Sequence, residues 1–185
     1  YSQPWQLVTF AWLPDEDLIR KEETDRVPYL AWRESGYLET TPGRAVSRLA
    51  VLRKLAKLQS MFDIQLIAFD RWRIEDLQQM AEDEGIPLPE MVPFGQGYKD
   101  MSPALDKFET ALLNGDVVHD GNPILTWNAS NAVTASDEAG NRKLNKAKAI
   151  GRIDLMVAAV QGAGVAIGNQ KTVNLDDFIN TPLYA

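Results

Sequence analysis

Two carboxylates stand where a purely structural role would be costly. Asp70 directly follows the short apolar run Ile64–Phe69, and ligands of α/β proteins gather in the crevice at the carboxyl ends of strands. Asp154 falls in the first turn of the most apolar helical stretch, Gly151–Ala163, between Ile153 and Leu155. A helix start favours negative charge by about 0.3–1 kcal/mol, whereas burying a carboxylate there without a partner costs far more. Acids from distant parts of a chain, converging on one sheet edge, suit a two-metal phosphodiesterase. In such a site two ions about 3.5–4 Å apart stabilise the attacking and leaving oxygens. Two carboxylates rarely hold both ions, so the chemistry demands a third. Local readings compete with this one. Asp70 can serve as a turn or N-cap residue before Arg71-Trp72-Arg73, and Asp154 as a helix-start carboxylate paired with Arg152 or Arg142.

Composition narrows the chemistry further. The chain has no cysteine and a single histidine, His119, which excludes disulfides, thiolate zinc sites, cysteine catalysis and multi-histidine metal sites. Any metal would be held by carboxylates and would be a hard ion, Mg²⁺ or Mn²⁺. The 185 residues carry 19 Lys and Arg against 26 Asp and Glu, a net charge of −7. Bulk positive charge is therefore not available to grip nucleic acid, and contact requires a local basic patch or a metal ion. One such patch is Arg53, Lys54 and Lys57, in a stretch from Arg44 to Phe62 that contains no acid. It reads either as a solvated helix face or as a strip facing DNA. Arg142, Lys143, Lys146 and Lys148, just before Asp154, supply the other available cations. No apolar run approaches the roughly 20 residues of a membrane span, and the mean hydropathy is −0.26. The reading is a soluble protein with one ordinary domain.

Periodicity supplies the elements that must position these groups. The opening alternation from Trp5 to Leu13 predicts one strand ended by Pro14, and a chain that opens inside a strand without Met reads as a piece of a longer protein, or as a trimmed version of a complete one. Pro14–Arg26 reads as a charged connection or short helix, and Val27–Tyr37 as an amphipathic helix stopped by Gly36. Leu38–Gly43 is a brief extended stretch and turn. Val51, Leu55, Leu58 and Phe62 share one face of a helix spanning Arg44–Phe62. Ile64–Phe69 suits a strand buried on both faces. Ile74, Leu77 and Ala81 mark an acidic helix ending at Gly85, followed by a short apolar run at Met91–Phe94. The glycine-rich Gly95–Ser102 lacks the lysine and hydroxyl spacing of a P-loop. Ser102-Pro103 predicts a helix start with Leu105, Phe108 and Leu112 as its buried stripe. Val117-Val118 forms a short edge strand, Asn122-Pro123 opens a helix through Val133, and Ser136–Leu144 is a polar turn. Strands alternating with helices give an α/β domain, a sheet covered by helices.

Five segments in order, FAWLPDEDL, VPYLAWRESGYLETTPG, IAFDRW, GDVVHDGNPILTWNASN and KLNKAKAIGRID, together resemble the C-terminal nuclease domain of the large terminase subunits of tailed phages. The resemblance reaches from Phe10 to about Gly164. It implies an α/β, RNase H-like mixed sheet flanked by helices over residues 1–167, with 168–185 as a C-terminal tail. It also implies a metal-dependent endonuclease cutting concatemeric double-stranded DNA during packaging in the host cytoplasm, with Mg²⁺ or Mn²⁺ as cofactor. The ATPase domain of the same subunit, the small subunit and the portal protein are the implied partners. Asp70 and Asp154 match two of the family's three metal-binding acids. The third belongs on the first strand of the sheet, just before the hairpin strand that holds Trp5–Leu13, and this sequence lacks that strand. His119, Asn122 and Asn131 lie in a closely matching segment, where His119 would orient a water or contact a phosphate, unless it is simply hydrogen-bonded at a strand end. Lys146 would neutralise phosphate charge beside Asp154, or remain a solvated loop lysine. The competing function is a catalytically incomplete remnant that serves as a docking module through its tail.

Overall fold

The computed structural model describes residues 4–70 and 74–168. In chain order the elements are β1 (Trp5–Leu7), β2 (Trp12–Pro14), α1 (Leu18–Asp25), α2 (Tyr29–Glu34), β3 (Glu39–Thr41), α3 (Arg48–Gln59), β4 (Leu66–Phe69) and α4 (Ile74–Asp83). They continue with β5 (Glu90–Pro93), α5 (Tyr98–Leu113), β6 (Val117–His119), α6 (Pro123–Asn131), β7 (Thr134–Ser136), β8 (Arg142–Leu144) and α7 (Asp154–Gly168). The α/β alternation is as the periodicity predicts. The tail expected from residue 168 onward lies, beyond its first residue, outside the described residues.

The strands pair as four two-stranded ladders, β1 with β6, β2 with β3, β4 with β5, and β7 with β8. The first three are parallel and the last is antiparallel. This corrects the expectation of one mixed sheet among the described residues. It also corrects the opening segment, which is two short strands separated at Val8–Ala11 and not one hairpin strand. Trp5–Leu7 runs beside Val117–His119, and Trp12–Pro14 beside Glu39–Thr41. β4 is only partly buried along its length, so the two-sided burial expected of Ile64–Phe69 is not reached.

The main core lies between α5 and α7. Met101, Ala104, Leu105 and Phe108 pack against Ile153, Val157, Val160 and Ala163, with Phe94, Leu125 and Leu144 closing the ends. Gly164 permits the closest approach. A Cβ there would sit 2.7 Å from the Ala104 Cβ and 2.9 Å from Phe94 Cε2. The pull of this core also explains a misplaced boundary. α5 begins at Tyr98 with Gly97 as N-cap and carries Pro103 inside it, one turn before the Ser102-Pro103 start that local signals favour. Burial of Met101 extends the helix upstream, and the Ser102 hydroxyl instead accepts the Arg142 backbone N–H at 3.0 Å. Leu112, expected in the buried stripe, is exposed, and Ala111 takes its place.

A smaller core gathers Leu18, Tyr29, Leu38 and Ile124, with Trp32 and Trp127 against it. The rings of Tyr29 and Trp127 meet edge to face with centroids 6.0 Å apart, a favoured aromatic geometry. Leu155 touches both cores, so the first turn of α7 is wedged between them. α3 is shorter than its pattern, ending at Gln59, and Phe62 stands exposed beyond it. Its most buried residue is Leu52, outside the expected stripe.

Candidate functional site

The acid at the start of α7 is built from the packing upward. Ile153 is buried and anchors the helix start, while the neighbouring Asp154 side chain is 69% exposed. Asp154 is therefore a surface carboxylate on a helix whose opposite face is buried, since Ala158, Gly162 and Ala166 are exposed along the same side, and the burial cost feared from its apolar neighbours is not incurred. Its partner is Lys146, with Nζ 3.0 Å from Asp154 Oδ1. The two arginines expected to pair with it are engaged elsewhere. Arg142 bonds Asp106 and Glu109, and these hydrogen bonds hold its guanidinium pKa above the ordinary value. Arg152 Nε donates to Asp25 Oδ2 at 2.8 Å.

Asp25 also accepts the Tyr29 hydroxyl at 2.6 Å. Partial burial pushes the Asp25 carboxyl up, but the hydrogen bonds from Tyr29 and Arg152 outweigh it and leave the group below its usual value. Burial, reinforced by the adjacent carboxylate, pushes the Tyr29 hydroxyl far up. This network joins the end of α1 to the residue two before Asp154. Sequence reasoning missed it, because nothing local links positions 127 residues apart.

Asp70 does follow strand β4 directly, and it is exposed. Its carboxylate accepts a hydrogen bond from the Gln96 side chain. It lines an open cleft with Gly95, Gln96, Gly97, Lys99, Asp100 and Lys143. Asp154 lines a different and more apolar cleft, with Trp12, Tyr29, Trp127, Asn128 and Arg152 among its walls. The segment between them serves both. Lys143 borders the Asp70 cleft, its Nζ 4.7 Å from the Tyr98 ring centroid, and Lys146 reaches Asp154. No acid occurs between Glu138 and Asp154, so Arg142, Lys143, Lys146, Lys148 and Arg152 form a local basic stretch in an acidic chain.

The remaining candidates sit as follows. His119 ends β6 and is exposed, and its Nδ1 accepts the Gly121 N–H at 3.2 Å. Asn122 is buried and caps α6, accepting the Ile124 N–H at 2.9 Å. Asn131 is buried, and its Nδ2 donates to the Arg152 carbonyl at 3.2 Å. Lys148 is exposed on a turn tied by the Asn145 side chain. Arg53 and Lys57 are exposed on α3, whereas Lys54 pairs with Glu39 and lies 4.5 Å from the Phe10 ring centroid. Sequence reasoning also passed over Asn128. Two asparagines three positions apart on one helix face, in the company of Ile124 and Leu125, are the signal that could have found it.

Whether these side chains fit a divalent centre turns on donor type and number. Exposed carboxylates are the donors that a hard cation takes, and Lys146 already places a positive group against Asp154. In number they fall short of a two-ion cradle. Among the described residues, no group of three or more His, Cys, Asp or Glu is gathered to hold a metal.

With this geometry in view, the chain compares closely with known proteins. The family model for the terminase large subunit, endonuclease domain, matches residues 6–169. The chain belongs to that family. This terminase endonuclease domain is 46% identical over 181 residues to the terminase large subunit of Enterobacteria phage HK97, covering 97% of this chain and 36% of that protein. It is 27% identical over 176 residues to the protein YmfN of Escherichia coli (strain K12), covering 92% and 38%. The crystal structure of the HK97 bacteriophage large terminase superposes with a TM-score of 0.79 at 47% identity, over 83% of this chain and 32% of that one. The chain thus spans a little over a third of the length of the curated relatives it matches. No helix among the described residues is long and apolar enough to cross a membrane.

Proposed function

We propose that this domain is the cutting part of a viral DNA-packaging terminase, a divalent-cation-dependent endonuclease acting on double-stranded DNA. The observation that carries the reading is Asp154, an exposed carboxylate on the first turn of a helix that packs its other face into the core, set beside Lys146 in a chain of the terminase endonuclease family. Asp70 and Asp154 are the proposed ligands of Mg²⁺ or Mn²⁺, within an RNase H-like arrangement. Such a cation supplies Lewis-acid polarisation of the phosphodiester.

What the chain's own residues do follows from charge. Lys146 and Lys148 hold phosphates beside Asp154, and Lys143 holds one at the Asp70 cleft. Arg142, tied to two acids, mainly fixes β8 against α5. Arg53 and Lys57 contribute a more distant phosphate contact, whereas Lys54 is spoken for by Glu39. His119 stands at an exposed strand end, in reach of solvent and backbone phosphate. Phosphate contacts position DNA without reading its bases, so cutting is sequence-tolerant. The partners in this reading are double-stranded DNA, the ATPase domain of the same subunit, the small subunit and the portal protein, in the cytoplasm of the host.

The test is nicking of supercoiled plasmid in Mn²⁺ by wild type and by Asp154→Asn at equal folded concentration. The reading requires activity in the first and none in the second. Equal cutting by both would end it.

A further inference from the structure

Helix α7 starts without a side-chain cap of its own. Its first backbone N–H groups have no partner within the helix and must find one elsewhere. The residue before it, Ile153, is apolar and 2% exposed, with a side chain that cannot accept an N–H bond, a type disfavoured at this position. The missing acceptor comes from another helix. Asn128 of α6, itself 2% exposed, accepts the Leu155 N–H on Oδ1 at 3.0 Å. Its amide is held in that orientation because Nδ2 donates to the Ile124 carbonyl at 2.9 Å.

One turn further along the same face, Asn131 donates to the Arg152 carbonyl. Gly151 lies flush against it, since a Cβ at Gly151 would be 2.7 Å from Asn131 Nδ2 and 3.3 Å from Trp127 Cζ2. Two buried amides on α6 therefore hold the backbone at residues 152 and 155, with Gly151 packed against the same face. Asp154 lies inside this span, yet its own side chain is left exposed, with Lys146 as its partner.

We infer that Asn128, supported by Asn131, is a positioning residue: it caps α7 from outside and so fixes where Asp154 presents its carboxylate. The inference rests on the proposed role of Asp154 and deepens it, because the buried Asn128 acts on that residue through the Leu155 N–H. A buried amide on a neighbouring helix does for this acid what outer-shell hydrogen bonds do for metal ligands in general, where loss of such a partner costs about 10–100-fold in metal affinity.

The experiment compares wild type, Asn128→Ala and Asn128→Asp, each confirmed folded by its thermal transition, with two readouts. The first is amide hydrogen exchange at Leu155, which needs no metal. The second is Mn²⁺ affinity, followed by electron paramagnetic resonance. In Asn128→Ala, Leu155 should exchange about tenfold faster while α5 amides stay as in wild type, and Mn²⁺ affinity should fall about tenfold or more. Asn128→Asp keeps an acceptor for the Leu155 N–H but loses the donor to the Ile124 carbonyl, so its Leu155 protection should lie between those of wild type and Asn128→Ala. Unchanged Leu155 exchange, or unchanged Mn²⁺ affinity, in folded Asn128→Ala overturns the inference. Should Asn128→Ala fail to fold, Asn128→Ser, whose shorter side chain does not reach Leu155, is judged by the same criteria. Asp154→Asn in the same titration separates the two ideas. If it binds Mn²⁺ as wild type does, the divalent centre at Asp154 is wrong, whatever the exchange data say of Asn128.

Discussion

Helix α7 offers a controlled measurement of its packing against α5, because two of its glycines differ in surroundings alone. Gly162 has nothing within 4 Å of the position its Cβ would take, whereas at Gly164 a Cβ would meet Ala104 Cβ at 2.7 Å and the Phe94 ring at 2.9 and 3.0 Å. Both lie inside the same helix, so replacing either by alanine gains about 0.8–1 kcal/mol of helix propensity. At Gly162 nothing opposes that gain, and Gly162→Ala should stabilise the domain by about that amount. At Gly164 the new methyl meets a carbon fixed to the backbone of α5, and forcing extra carbon into a packed core costs about 1–3 kcal/mol. Gly164→Ala should therefore range from about neutral to about 2 kcal/mol destabilising, and the two variants should differ by about 1–3 kcal/mol. In a domain of this size each kcal/mol moves the melting temperature by about 2–4 °C. Parallel thermal and urea unfolding of wild type and the two variants measures the difference. If Gly164→Ala stabilises as much as Gly162→Ala, the close α5–α7 approach described above is wrong.

Three further outcomes follow from particular residues. Lys146→Ala should weaken DNA binding about equally across sequences and lower the salt slope by about 1, which filter binding at several salt concentrations reads directly. Arg152→Gln removes a hydrogen bond that holds the Asp25 carboxyl below its usual value. The stability Asp25 contributes is present above its unfolded pKa of about 3.9 and is lost as pH falls through the lower folded value. The variant should therefore lose stability relative to wild type at neutral pH, with the gap closing in acid, as stability measured from pH 7 to pH 2 would show. Leu52→Ala, at a side chain with no exposure, should cost about 2–5 kcal/mol, a loss that urea unfolding would register.

The signals that could be read from the sequence were those carried within a few residues. Asn122-Pro123 marks the start of α6, Gly36 and Gly85 stop their helices with positive φ, and Asp154 opens α7. Where a boundary depended on distant packing the local signal misled. Ser102-Pro103 looks like a helix start, but Met101 has to reach the α7 core, and the helix begins a turn earlier. The β7–β8 hairpin was hidden in a polar stretch because its pairing buries little beyond Leu144. At the site, the positions of Asp70 and Asp154 at a strand end and a helix start were legible from the apolar runs beside them. Their partners were not. Gln96 and Asn128 are chosen by how the elements meet, charge alone pointed to Arg142 and Arg152, and Lys146 was set beside Asp154 only by the family resemblance.

The central claim is that Asp70 and Asp154 serve one divalent centre, and paramagnetic broadening tests it most directly. Mn²⁺ is titrated into the isotope-labelled protein while backbone amide signals are followed. The account predicts that signals beside Asp70, such as Phe69 and Gln96, and signals beside Asp154, such as Ile153 and Leu155, broaden together at the same Mn²⁺ concentration. Both sets should sharpen again in Asp154→Asn. Broadening that touches only one acid, or that persists unchanged in Asp154→Asn, would contradict it.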